Sequence, residues 1–149
     1  MNRRYDIPEL QQLYDTAMAD QSAFARGRRF LFDDDYEQAH KCFRQAANEG
    51  YAEAMTYLGY MYRRGLGVRR DDAKAAVFYQ QAISTGGKTL LSSAAYNNLG
   101  VLNMKGEGVA QDIAKAKQLF LEAIAIDGSE DSKRHLNEIA QTIDNNGNT

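Results

Sequence analysis

The 149-residue chain carries a formal net charge of -2, 44% apolar residues and one proline, which argues against a disordered tract and gives no global pull toward nucleic acid or an anionic membrane. A single cysteine, Cys42, rules out an internal disulfide and suits a reducing, cytoplasmic setting. No continuous apolar run follows the N-terminal arginines, so neither a signal peptide nor a membrane span is expected.

Apolar spacing predicts helices throughout. Leu10, Leu13, Tyr14, Ala17 and Met18 form a stripe at three- and four-residue steps. With Asp6, Pro8 and Glu9 as a start signal, they predict a capping helix within 1–22. Phe24, Gly27, Phe30 and Leu31 follow, ended by Asp33-Asp34-Asp35. That acidic run lacks the alternation and closing glutamate of a calcium loop and is expected to cap the next helix. Tyr36, Ala39, Phe43, Ala46 and Ala47 mark that helix, which stops near Gly50. Two further pairs are predicted: Ala54 to about Arg63 with Asp72 to about Ser84, and Ala94 to about Met104 with Ile113 to about Ile126. A last helix, from about Glu130 to Ile143, keeps Leu136, Ile139 and Ile143 on one face, and the NNGNT tail should fray.

The pairs repeat. Gly59, Gly65, Gly67, Val68, Asp71, Lys74, Ala75 and Ala82 recur 41 residues later as Gly100, Gly106, Gly108, Val109, Asp112, Lys115, Ala116 and Ala123. Ala39, Phe43, Ala46 and Gly50 match Ala75, Tyr79, Ala82 and Gly86 at an offset of 36, and the extra residues fall around Gly86 to Leu91. Such a period belongs to solenoids of two-helix hairpins, in which small residues let paired helices approach and each hairpin completes its core on the next.

No catalytic chemistry is legible. The G-x-G of Gly65 and Gly67 follows a helix, and Arg70 holds the third glycine position of a dinucleotide fingerprint. Gly87-Lys88-Thr89 lacks the earlier glycine of a phosphate loop, since that place is Ala82 inside a helix. These glycines are expected to end helices and turn the chain, with Asp71 and Asp112 opening the next helix. His40, Cys42 and His135 do not share a helical face, so no metal or nucleophile site is expected. Arg63, Arg64, Arg69 and Arg70 lie in a stretch without acids, whereas Asp127 to the end holds two basic and five acidic residues. The stack is thus expected to be positive toward one end and negative toward the other.

Ala54-x-x-x-Leu58-Gly59-x-x-Tyr62-x-x-Gly65-x-Gly67-Val68-x-x-Asp71-x-x-Lys74-Ala75-x-x-x-Tyr79-x-x-Ala82 resembles a Sel1-like repeat, and Ala95 through Ala123 resembles a second copy, with Asn103 in place of the tyrosine. Ala23 to Gly50 resembles a plain tetratricopeptide repeat without the glycine loop. The resemblance implies an all-α, right-handed solenoid of antiparallel helix pairs. Its expected divisions are a cap at 1–22, a tetratricopeptide-like unit at 23–50, Sel1-like units at 51–91 and 92–128, and a cap with tail at 129–149. It further implies a non-catalytic adaptor with no cofactor, a monomer or weak homodimer, that holds a protein or peptide in a groove lined by each pair's first helix. Carried over by alignment, that groove comprises Gln21, Phe24, Arg28, Leu31 and Phe32; Glu53, Thr56, Tyr60, Arg63 and Arg64; and Ala94, Asn97, Val101, Met104 and Lys105. Phe24, Leu31 and Phe32 could equally be core. Arg28, Tyr60, Arg63, Arg64, Asn97 and Lys105 are the expected partner-binding residues, the arginines suiting an acidic segment and Asn97 a peptide backbone. Two other roles fit the same resemblance: a chaperone-like or immunity protein that escorts or neutralises an effector, and a self-associating scaffold.

Overall fold

Short polar side chains open the helices and left-handed glycines close several of them. The structure, a computed structural model, describes residues 19–147 except Lys88. The N-terminal stripe from Leu10 to Met18 and the lysine of Gly87-Lys88-Thr89 therefore lie outside the described residues. Helix α1 (Ala23–Phe32) starts at Ser22, whose hydroxyl accepts the Ala25 N–H at 3.1 Å. Asp35, Asp71 and Asp112 do the same for α2 (Tyr36–Asn48), α4 (Asp72–Gly86) and α6 (Ile113–Asp127). Helix α3 (Ala52–Arg64) ends at Gly65, at φ +67°, and α5 (Leu90–Lys105) at Gly106, at φ +69°. In α7 (Glu130–Gly147), the Ser129 hydroxyl accepts the Ser132 N–H at 3.2 Å.

Two boundaries differ from expectation. Helix α5 begins at Leu90 rather than Ala94, because Thr89 and Ser92 form a reciprocal capping box. Helix α4 runs on to Gly86, where a Cβ would strike that of Ala52, so the glycine serves close helix approach before it serves a stop.

The helices pair as α1/α2, α3/α4 and α5/α6. A glycine on each first helix receives an aromatic ring from the second. A Cβ on Gly27 would lie 2.8 Å from Phe43, one on Gly59 2.6 Å from Tyr79, and one on Gly100 2.6 Å from Phe120. Each hairpin's core is closed by the first helix of the next. Phe43 and Ala46 pack with Leu58 and Met61, Tyr79 and Ala82 with Leu99 and Leu102, and Phe120 and Ala116 with Ile139. Helix α7 takes the place of a fourth first helix. Ser132-x-x-x-Leu136-Asn137 aligns with Ala54-x-x-x-Leu58-Gly59, and Ser132 is as fully buried as Ala54 and Ala95.

Asn103 does change the packing of the third hairpin. Tyr62 stacks on Phe78 with centroids 5.5 Å apart, whereas Asn103 turns its amide back to the Leu99 carbonyl at 2.9 Å. First helices α3 and α5 touch, as do α5 and α7, while the second helices make at most marginal contact with one another. From α3 onward the first helices lie closer together than the second helices, so the stack curves toward them there and their side is its inner face, whereas α1 and α3 make at most marginal contact. Among the described residues no helix is long and apolar enough to cross a membrane.

Candidate partner-binding face

Residues one and five places after each hairpin's glycine fall on the open side of the first helix, away from its partner helix and from the neighbouring first helices. In α1 these are Arg28 and Phe32, in α3 Tyr60 and Arg64, and in α5 Lys105; Val101, at the matching place in α5, is instead covered by α7. Phe32 is 89% exposed and Tyr60 41%. Arg28 is exposed with its guanidinium carbon 6.0 Å from the Phe24 ring centroid, and Arg64 and Lys105 are exposed too. Arg28, Phe32, Tyr60 and Arg64 are thus accessible at equivalent positions of successive first helices.

Other members of the expected groove serve the fold. Phe24 stacks on Tyr51 at 5.8 Å and, with Leu31, joins the first core. Thr56 is buried and bonds back to the Ala52 carbonyl at 3.4 Å. Val101 is 5% exposed because α7 lies over it. Asn97 departs from its expected free role: its Oδ1 accepts the Ser132 hydroxyl at 2.8 Å and so pins α7 to α5. Arg63 is likewise occupied. It donates to Asn98 Oδ1 at 3.3 Å and stands 3.9 Å from the Glu107 carboxylate, with only 19% of its side chain exposed. Gln21 and Ala94 are exposed, and Glu53 is half-buried.

The positive stretch after Gly59 is less open than its composition suggests. Arg70 forms a two-point contact with Asp72, at 3.3 and 2.8 Å, which raises the guanidinium pKa above its ordinary value. Arg26 reaches Gln45 at 3.1 Å, and Arg29 the Asp20 carbonyl at 2.9 Å. Glu107, Asn98 and Asp72 are the partners that sequence reading missed. Asp72 stands two residues from Arg70 and was open to a local reading, whereas Glu107 and Asn98 reach Arg63 only through stacking, for which a single sequence carries no signal.

Beneath Tyr60 and Arg63 lies Tyr79, fully buried, its hydroxyl without a hydrogen-bond partner. Burial pushes its ionisation well above the ordinary tyrosine range. The aligned rings, Phe43 and Phe120, carry no such group. Among the described residues no cluster of three or more His, Cys, Asp or Glu side chains could hold a metal ion.

The Sel1 repeat family matches residues 24–51, 52–86 and 93–126, so the match includes the first hairpin despite its missing glycine loop. No curated protein matches the chain. A Sel1 repeat protein from Oxalobacter formigenes is 26% identical over 66% of this chain, with a TM-score of 0.59. The uropathogenic Escherichia coli protective antigen c5321 is 32% identical over 83% of the chain, with a TM-score of 0.66. The chain spans only 39% and 26% of those two structures. Helicobacter pylori cysteine-rich protein B shares the fold, at 20% identity and a TM-score of 0.59, over 83% of this chain and 92% of that one.

Proposed function

The chain belongs to the Sel1 repeat family, whose repeats serve mainly as protein-interaction surfaces, and from that premise we propose that its inner face holds a protein or peptide partner through Arg28, Phe32, Tyr60 and Arg64. The observation that supports this reading is the exposure, at equivalent places on α1 and α3, of two aromatic rings and two arginines that make no ion pair among the described residues. Aromatic and arginine side chains supply most of the energy at such interfaces, and a guanidinium selects acidic segments by its paired donors. Lys105 extends the positive edge. Arg63 and Asn97 shape the face from below, since both are tied into the stack. The work is recognition rather than covalent chemistry. The cytoplasm, where the buried thiol of Cys42 stays reduced, is the compartment this reading assumes.

The test is a parallel capture from source-cell lysate with wild type and a Phe32→Ala/Tyr60→Ala/Arg64→Glu variant matched in helical circular dichroism. Partners retained by wild type and lost by the variant support the inner face. Partners held equally by both would remove it.

A further inference from the structure

At each junction between hairpins, the loop after one first helix sits in a socket of the preceding hairpin. At the first junction a Cβ on Gly67 would lie 2.5 Å from the Tyr36 carbonyl carbon, and at the second one on Gly108 would strike the Asp72 carbonyl. Both glycines are left-handed, at φ +66° and +69°. The residue between the paired glycines meets the socket wall. Leu66 packs into the first core, which includes Leu31, Tyr36 and Met61. Glu107 faces Arg63, which aligns with Leu31. Wall and occupant therefore match in kind: leucine with leucine, carboxylate with guanidinium.

Among the described residues a third socket has no occupant. The residues aligned with Leu31, Tyr36 and Met61 are Met104, Ile113 and Ile139, and with Ile143 they form the apolar wall of an open cleft of about 270 Å³ between α5, α6 and α7, which Gln111, Glu138 and Thr142 also line. Helix α7 cannot fill it as its counterparts do. Where α3 and α5 end at Gly65 and Gly106, α7 has Ile143 and continues as helix, leaving that side chain 52% exposed.

We propose that this cleft is a docking site for a protein partner, which inserts an apolar residue flanked by glycines in a tight turn, as Leu66 does at the first junction. The site continues the seam already used twice within the chain. The leucine–leucine and carboxylate–guanidinium pairings set its preference, because a carboxylate entering beside Met104, Ile113, Ile139 and Ile143 loses hydration and meets the Glu138 carboxylate with no cation among the lining residues to pair with. This surface lies apart from Tyr60 and Arg64, and the proposal does not depend on the inner-face reading.

Full-length protein with labelled methionine and isoleucine methyl groups would be titrated by NMR with two cyclised peptides, one carrying the Gly-Leu-Gly-Val of Gly65 to Val68 and the other the Gly-Glu-Gly-Val of Gly106 to Val109. The leucine peptide is expected to shift Met104, Ile113, Ile139 and Ile143, and the glutamate peptide to bind about tenfold more weakly or worse. Met104→Arg, or Ile143→Arg at the exposed rim if the first variant misfolds, should reverse that preference. The same titration on Tyr60→Ala/Arg64→Glu should be unchanged. Equal response to both peptides, no response at these four methyls up to millimolar peptide, or an unaltered preference in the arginine variants would overturn the proposal. Concentration-dependent dimerisation by light scattering that perturbs the same methyls would also overturn it, assigning the cleft to a second copy.

Discussion

The two filled junctions share a backbone and differ in what fills it. At the first, Leu66 meets an apolar wall, and Tyr57 stacks on Phe43 with centroids 4.7 Å apart and planes inclined by 4°. At the second, the same places hold Glu107 against Arg63 and Asn98 near Tyr79, with Arg70 and Asp72 paired alongside. The constant part is the glycine that presses on the preceding helix. The variable part is the side-chain pair. A repeat stack can therefore hold its geometry through backbone contact while its junctions change from greasy to ionic.

The largest expected effect tests the constant part. Gly67→Ala and Gly108→Ala should each cost about 3 kcal/mol or more in urea unfolding, since a Cβ there meets both an unfavourable φ and the neighbouring backbone. A much smaller loss at one of them would mean that the two seams are not held alike. Next, Leu66→Ala should cost about 1–2 kcal/mol for a half-buried side chain, with little response to salt. Tyr79→Phe should be neutral or stabilise by up to about 1 kcal/mol, because it removes a buried hydroxyl that has no partner. A clear loss of stability would reveal a bond that this hydroxyl makes in solution. Glu107→Ala should change stability by only about 0.5 kcal/mol, an effect that fades at high salt because its partner lies 3.9 Å away near the surface.

The smallest effect concerns pH. Burial first, and then the Arg44 charge, lower the pKa of His40, whose ring stands edge-on to Tyr62 at 5.4 Å. The unfolded chain then holds the proton more readily, so stability falls as pH drops below the ordinary histidine value. His40→Gln should lose less stability than wild type between pH 7 and 5. Identical slopes would show that the ring titrates normally in the fold.

Much of the architecture was legible because its signals are local. The 41-residue echo gave the hairpins, Asp35, Asp71 and Asp112 gave helix starts, and Gly65 and Gly106 gave helix ends. The early start of α5 went unread because Thr89 and Ser92 cap each other through hydroxyls, without the acidic or amide residue that usually marks a capping box. The inner face was half legible. Arg28, Tyr60 and Arg64 came from aligned groove positions of the resembling repeats, and all three are exposed. Asn97 and Val101 did not follow, because α7 was read as a cap when it occupies a further repeat position and covers them. The pattern Ser132-x-x-x-Leu136-Asn137 carries that information, but serine and asparagine in place of alanine and glycine disguise it.

Asn137 makes α7 a different seat from α3 and α5. It stands where Gly59 and Gly100 receive Tyr79 and Phe120, rings that leave no room for a Cβ. A helix laid against α7 as α4 lies against α3 would bring its ring onto the Asn137 side chain, where Tyr79 and Phe120 meet only a glycine.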